Sequence, residues 1–253
     1  PPKQAQALCT DHTKVLTAAA QSDDNFTIDE NTDILATYRD RVIDAYFVDF
    51  KGEKVGESMN LGKDDLKNIQ VASTSDLKKQ NDIIKKIEKG DADAAKSLRL
   101  PVYVFDINDQ TITVLPIYGA GLWGPVWGYL AFAQDGRSID GAIFDHKSET
   151  PGLGAKIAEE PFYGQFKGRK LTDEGGFSVV KGGARGDINS VDAISGASIT
   201  SQAVGTTINI WMKYYLPYLN ILAEKNAAAQ QLGAETEDEA ALEAAEAENK
   251  EEE

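Results

Sequence analysis

The run Asp192-Ala193-Ile194-Ser195-Gly196-Ala197-Ser198-Ile199-Thr200-Ser201 gathers one carboxylate, four hydroxyls and a glycine in ten residues. A turn of that composition can hold a phosphate and can also offer a side-chain oxygen to bond it covalently. Beyond it, Val204, Ile208, Trp211, Met212 and Tyr215 recur at steps of three and four, which predicts a helix with one buried face. The helix is expected to start between Ser198 and Ser201, where a hydroxyl can cap free backbone N–H groups. Those N–H groups and the helix dipole favour an anion at that end. Gly196 lets the backbone turn tightly beside a bound group. The same residues also suit a plain capped helix after an ordinary turn, because short Gly/Ser turns are common.

Two further stretches have the composition of a binding surface. Trp123 and Trp127 stand among Gly121, Gly124 and Gly128. Glycines there let a flat ligand approach the backbone between aromatic or aliphatic walls. The alternative is that both tryptophans are core residues at the rim of a sheet. The second stretch is Glu149-Thr150-Pro151-Gly152-Leu153-Gly154, with His146 just before it.

The pattern Asp192-x-x-Ser195-Gly196-Ala197-Ser198 resembles the flavinylation motif read by bacterial flavin transferases. In that family the last residue is esterified by the phosphate of FMN, with FAD as donor. The resemblance therefore implies Ser198 as the acceptor. Threonine is usual there; serine keeps the nucleophilic oxygen and lacks one methyl group. Thr200 and Ser201 are neighbouring hydroxyls that a shifted motif would make the acceptor. Gly119 to Tyr129 and Ile139 to Gly154 resemble the FMN-binding domain shared by the C subunit of the Na+-translocating NADH:quinone oxidoreductase and the G subunit of the related ferredoxin-linked complex. The three motifs occur in the family's order, and the resemblance extends from near residue 6 to near residue 224.

By that resemblance, Asp192, Ser195, Gly196, Ala197 and Thr200 join Ser198 around the cofactor, and Gly121, Leu122 and Trp123 wall its ring. Trp127 is left to the core. Thr150 would donate to a ring oxygen or nitrogen, with Glu149 and Leu153 alongside. Gly152 and Gly154 would admit the ring and open a helix whose N–H groups favour a reduced, anionic flavin. Lys181 would add positive charge or, equally, be a solvated lysine at a strand end.

Leu61-Gly62 and Lys85 to Leu98, read as an N-terminal insertion, fit the sodium pump's subunit better than its ferredoxin-linked relative. So does Glu159 to Tyr163 leading into Lys167-Gly168-Arg169. The implied function is a covalent-FMN electron carrier in a membrane complex that oxidises NADH, reduces ubiquinone and exports Na+. The chain alone would perform no independent turnover. Its partners would be the other subunits and, during maturation, a flavin transferase. An N-terminal helix outside this sequence would hold it in a bacterial inner membrane, with the flavin domain on the periplasmic side. The alternatives are a flavoprotein of the ferredoxin-linked complex and a non-redox ligand-binding or sensor domain with the motif unmodified.

Composition fits a globular carrier. The 253 residues are 42% hydrophobic, enough to bury a sizeable core. Residues 235–253 hold ten acids and one lysine, so most of the formal net charge of −15 lies there. No basic cluster with interleaved aromatics points to nucleic acid. No run approaches the ~20 apolar residues of a membrane helix, and the opening Pro1-Pro2-Lys3 is not that of a signal peptide. The single Cys9 excludes an internal disulfide and a cysteine-based metal cluster. Cys9 and His12 sit at helical spacing, but two ligands are too few for a closed zinc site, so no metal is expected. His146 is read as a loop residue.

The elements predicted to position these motifs are α+β: antiparallel sheets with flanking helices, not a Rossmann fold. Residues 3–20 read as a helix, and Val42 to Asp49 as a strand entering a hairpin at Lys51-Gly52-Glu53. Asp76 to Leu98 reads as helix interrupted at Gly90-Asp91. Asn108-Asp109 and Asp135-Gly136 mark two further hairpins. Leu153 to Phe166 reads as a helix, and Phe177 to Lys181 as a short strand. Three regions follow: an α/β part over 1–100, an FMN-binding domain over 101–224, and an Ala/Glu-rich tail over 225–253, expected to be disordered.

Overall fold

Consecutive apolar residues dominate the central strands, the pattern of a sheet covered on both faces. In the computed structural model, which describes residues 3–60 and 69–251, that is what forms. Strands β1 (Val42–Val48), β2 (Lys54–Val55), β3 (Leu100–Ile107), β4 (Gln110–Ala120), β5 (Pro125–Phe132), β6 (Ser138–His146) and β7 (Arg169–Lys170) make one sheet in the order β2-β1-β3-β4-β5-β6-β7. Every pairing in it is antiparallel. The expected fold class is the one observed.

Alternate residues feed opposite cores. Tyr103, Phe105, Val114, Tyr129 and Ala131 meet Val15, Leu16, Ala18 and Ala19 of helix α1 (Lys3–Ala20) and Tyr38 of α2 (Ile34–Arg41). Val102, Leu115, Ile117, Leu130 and Phe132 face the other way. There they meet Leu77 and Ile84 of α3 (Thr74–Glu88) and the stripe Val204, Ile208, Trp211, Met212, Tyr215 of α5 (Ser198–Glu251). Every stripe residue predicted to be buried is buried. The Trp211 Nε1–H donates to the Tyr118 carbonyl at 2.6 Å, so the polar tip of this core residue is satisfied.

Several expectations change. The boundary near residue 100 falls at the start of β3, and because β1 pairs with β3, one sheet spans both sides of it. Residues 153–166 are not one helix. They form a 3-10 turn over Gly154–Ala158, the single-turn α4 (Glu160–Tyr163) and a second 3-10 turn over Gly164–Phe166. Glu159 is extended and serves as the N-cap of α4, whose first turn carries Pro161, so the helix restarts there instead of continuing from Gly154. Tertiary contacts hold the pieces instead: Phe166 lies 5.0 Å from Phe144, 5.6 Å from Phe162 and 5.2 Å from Phe177, centroid to centroid. α5 runs on as helix through the Ala/Glu-rich tail to Glu251, in keeping with the high helix propensity of Ala and Glu that also lets such a tail be helical in isolation. Leu61-Gly62 and the Cys9 side chain lie outside what the structure describes. No helix among the described residues is long and apolar enough to cross a membrane.

Candidate cofactor site

Three pieces converge at one end of the sheet: the β4–β5 turn, the loop after β6, and the start of α5. A small parallel pair, β8 (Ser178–Val180) and β9 (Ser190–Asp192), delivers the chain to α5. Asp192 closes that pair. Its Oδ1 accepts the Ala184 N–H at 3.1 Å, while its own N–H donates to Gln165 Oε1 at 3.0 Å. The Ala193 N–H donates to the Val180 carbonyl at 2.7 Å. The motif's acid therefore fastens the glycine loop that carries Lys181.

After Asp192 the chain reverses through Gly196, whose φ of +77° suits glycine. The three hydroxyls of the first turn of α5 then differ sharply. Ser201 is fully buried; its Oγ donates to the Ala197 carbonyl at 2.9 Å and accepts the Ile194 N–H at 3.1 Å. Thr200 is buried and donates to Glu149 Oε2 at 2.7 Å. Ser198 is half-buried and has no hydrogen-bond partner among the described residues. It lines a cleft of about 480 Å³ with Lys181, Gly182, Asp192, Ser195 and Gly196. The first backbone bond of α5 runs from the Ser201 N–H to the Ala197 carbonyl, so the preceding N–H groups are available to an anion.

The converging turn, loop and helix start leave large apolar side chains in solvent: Leu122 is 46% exposed, Trp123 67%, Leu153 45% and Ile199 60%. Leu153 Cδ2 comes within 3.5 Å of where a Cβ on Gly196 would lie, which joins this surface to the Ser198 turn. Trp127, expected in the core, is partly buried against the α1 side of the sheet.

Glu149, only 4% exposed, lies at the junction. Its Oε1 accepts the Trp123 N–H at 2.9 Å, and its Oε2 takes the Thr200 hydroxyl. Its own N–H donates to His146 Nδ1 at 3.2 Å, which places His146 at the end of β6 with a structural partner. A Cβ on Gly121 would stand 2.5 Å from Glu149 Oε1, and one on Gly154 would stand 2.6 Å from Oε2. Both glycines thus make room for this carboxylate. Thr150 and Gly152 are exposed, and the Thr150 carbonyl accepts the Leu153 and Ala155 N–H groups, each at 3.1 Å.

Lys181, Asp192, Ser195, Gly196 and Ser198 thus share one cleft, while Glu149 ties Gly121, the Trp123 backbone and Gly154 to Thr200 of the same helix start. Sequence reasoning assigned no role to Ile199 or Gln165. Ile199 carried a signal, since it lies off the stripe that starts at Val204; Gln165 carried none. A larger groove of about 800 Å³ between α3 and the β4–β5 hairpin includes Gly121 and Gly124 but neither Ser198 nor Trp123.

Comparisons with known proteins point to one family. A family model described as "FMN-binding domain" matches residues 121–213. The C subunit of the Na(+)-translocating NADH-quinone reductase of Neisseria meningitidis serogroup B is 34% identical over 217 residues, covering 80% of this chain and 78% of that protein. Its counterpart in Vibrio vulnificus YJ016 is 31% identical, covering 68% and 75%. Among solved structures, the counterpart from Parabacteroides distasonis superposes with a TM-score of 0.63 at 27% identity, covering 87% of this chain and 97% of that one. The NqrC structure of Shewanella oneidensis, at 23% identity and a TM-score of 0.64, shares the fold over 86% and 98%.

Proposed function

Because the chain belongs to the NqrC family, the C subunits of the Na+-translocating NADH-quinone reductase, we propose that it carries FMN covalently, through a phosphoester on Ser198. The observation that carries this reading is the contrast among the three hydroxyls of the first turn: Thr200 and Ser201 are buried and engaged, while Ser198 faces the cleft without a partner among the described residues.

The residues present fit the group. The start of α5 and Lys181 offer positive potential to a phosphate. Leu122, Trp123, Leu153 and Ile199 offer apolar and aromatic surface to a flat ring. In the attachment step the Ser198 oxygen attacks the FMN-side phosphorus of FAD. The pyrophosphate bond breaks, AMP leaves, and the hydroxyl proton passes to a base supplied by the transferase. Bound FMN would accept and release electrons between partner carriers; the protein binds it, orients it and sets its surroundings.

Asp192 and Gly196 shape the turn that presents Ser198. Trp123 and Leu153 would limit water on a bound ring. Nothing in this geometry requires a substrate pocket of its own, so turnover belongs to the assembled complex that oxidises NADH, reduces quinone and exports Na+. Attachment to a membrane, with the flavin domain on the non-cytoplasmic side, belongs to the same proposal. A tether has most value there, where lost FMN is not replaced. The test is simple: after co-expression with a flavin transferase, flavin absorbance should stay with the denatured polypeptide. Its complete release on denaturation would overturn covalent attachment.

A further inference from the structure

We infer that Glu149 is a positioning residue, a clasp that fixes the ring-facing turn at Trp123 against the first turn of α5 before any cofactor arrives. What it implies for the flavin rests on the Ser198 reading above; the clasp itself does not. Its carboxylate is buried, and each oxygen accepts one hydrogen bond, from the Trp123 N–H at 2.9 Å and from the Thr200 hydroxyl at 2.7 Å. Bonds to an ionised acceptor are the strong ones, and a buried carboxylate is tolerated when such bonds offset its desolvation. Thr200 lies two residues beyond Ser198 on the same helix. One side chain therefore sets the distance between the backbone that presents the Trp123 ring and the helix end that presents the acceptor oxygen.

The surroundings are built to the carboxylate. A Cβ on Gly154 would meet both members of one arm, Glu149 Oε2 at 2.6 Å and Thr200 Oγ1 at 2.7 Å. At Gly121 it would meet the other oxygen at 2.5 Å. Gly154 thus makes room for the clasp, and Gly121 makes room for it together with Val126 Cγ1 at 2.7 Å and the Gly124 carbonyl at 2.9 Å. The Glu149 backbone is itself held by His146 Nδ1. Glu149 thus acts on the cofactor through Trp123 and Thr200.

The first test needs no flavin. In the unflavinylated protein, hydrogen exchange at the Trp123 amide should accelerate by about tenfold or more in Glu149→Ala, which removes a bond to a charged acceptor. Glu149→Gln keeps an acceptor for Trp123 and offers an amide to the Thr200 oxygen, so exchange there should stay near wild type. Gly154→Ala should destabilise the wild-type protein more than the Glu149→Ala protein, because one of its two closest steric partners is gone and the Thr200 hydroxyl, released from the carboxylate, is free to rotate away. In flavinylated protein, the flavin's visible circular dichroism and midpoint potential should shift in Glu149→Ala and be restored in Glu149→Gln. Unchanged Trp123 exchange in Glu149→Ala would overturn the clasp. A Gln variant as disturbed in potential as the Ala variant would assign the effect to the charge itself and overturn the positioning role. If wild-type protein takes up no flavin, the Ser198 reading fails, and the exchange measurement still decides the clasp.

Discussion

Asp192 accepts the Ala184 N–H at 3.1 Å, joining the end of β9 to the loop that carries Lys181. One oxygen of the motif's acid is thereby engaged by backbone while the residue still lines the Ser198 cleft. Asp192→Ala should cost about 1–2 kcal/mol of stability, the scale of a lost side-chain bond to backbone N–H. It should also open residues 181–186 to proteolysis. Asp192→Asn keeps the acceptor oxygen and should stay close to wild type. Denaturant titration and limited proteolysis check both variants.

Trp123 separates binding from folding. Its side chain is largely in solvent, so Trp123→Ala should change stability by no more than about 0.5 kcal/mol. The same variant should expose the flavin, seen as raised flavin fluorescence in the loaded protein. A stability loss of several kcal/mol would show that the ring is part of the core.

Ser201 is the converse. It partners both the Ile194 N–H and the Ala197 carbonyl, so Ser201→Ala strands a donor in the motif turn and should cost about 1–3 kcal/mol. Flavin should still attach to the folded fraction. Thermal unfolding together with the flavin content of the folded protein checks the pair of outcomes.

The α3 flank carries a pH signature. Burial alone would raise the Asp76 carboxyl, but hydrogen bonds from the Ser73 hydroxyl, Lys79 and the Ser73 N–H, together with the Lys79 charge, outweigh it and hold the group below its ordinary value. Ser73 and Asp76 form a capping box at the start of α3. With the folded value depressed, this contribution is present at neutral pH and is lost as pH falls through the acid range. Asp76→Ala should therefore be less stable than wild type by about 1 kcal/mol at pH 7. The gap should close below the range in which the carboxyl titrates, and a gap that widened in acid would contradict the assignment.

What could be read from sequence was local. Asn108 and Asp109 announced a hairpin, and both hold positive φ, +50° and +67°. The α5 stripe repeated at helical spacing and could be followed residue by residue. The β8–β9 pairing is parallel, rests on two three-residue strands and has no turn signal, so only β8 was visible. The 153–166 segment is not one helix because Glu159 is extended ahead of a helix that restarts at Glu160, and Phe166 packs on Phe144 and Phe177 as well as on Phe162. Around Ser198, the motif named the residues but not their division of labour. Glu149, Gly121 and Gly154 were grouped with ring contacts, and only a contact spanning 51 residues, from Thr200 to Glu149, shows their mutual fit.

The most direct test is peptide mapping by mass spectrometry after co-expression with a flavin transferase, on wild type, Ser198→Ala, Ser198→Thr and Thr200→Ala. One FMN should appear on the peptide containing Ser198 in wild type. It should be absent in Ser198→Ala and persist in Ser198→Thr and in Thr200→Ala. An adduct that survives Ser198→Ala, or one that maps to Thr200 or Ser201, would contradict the assignment of the acceptor.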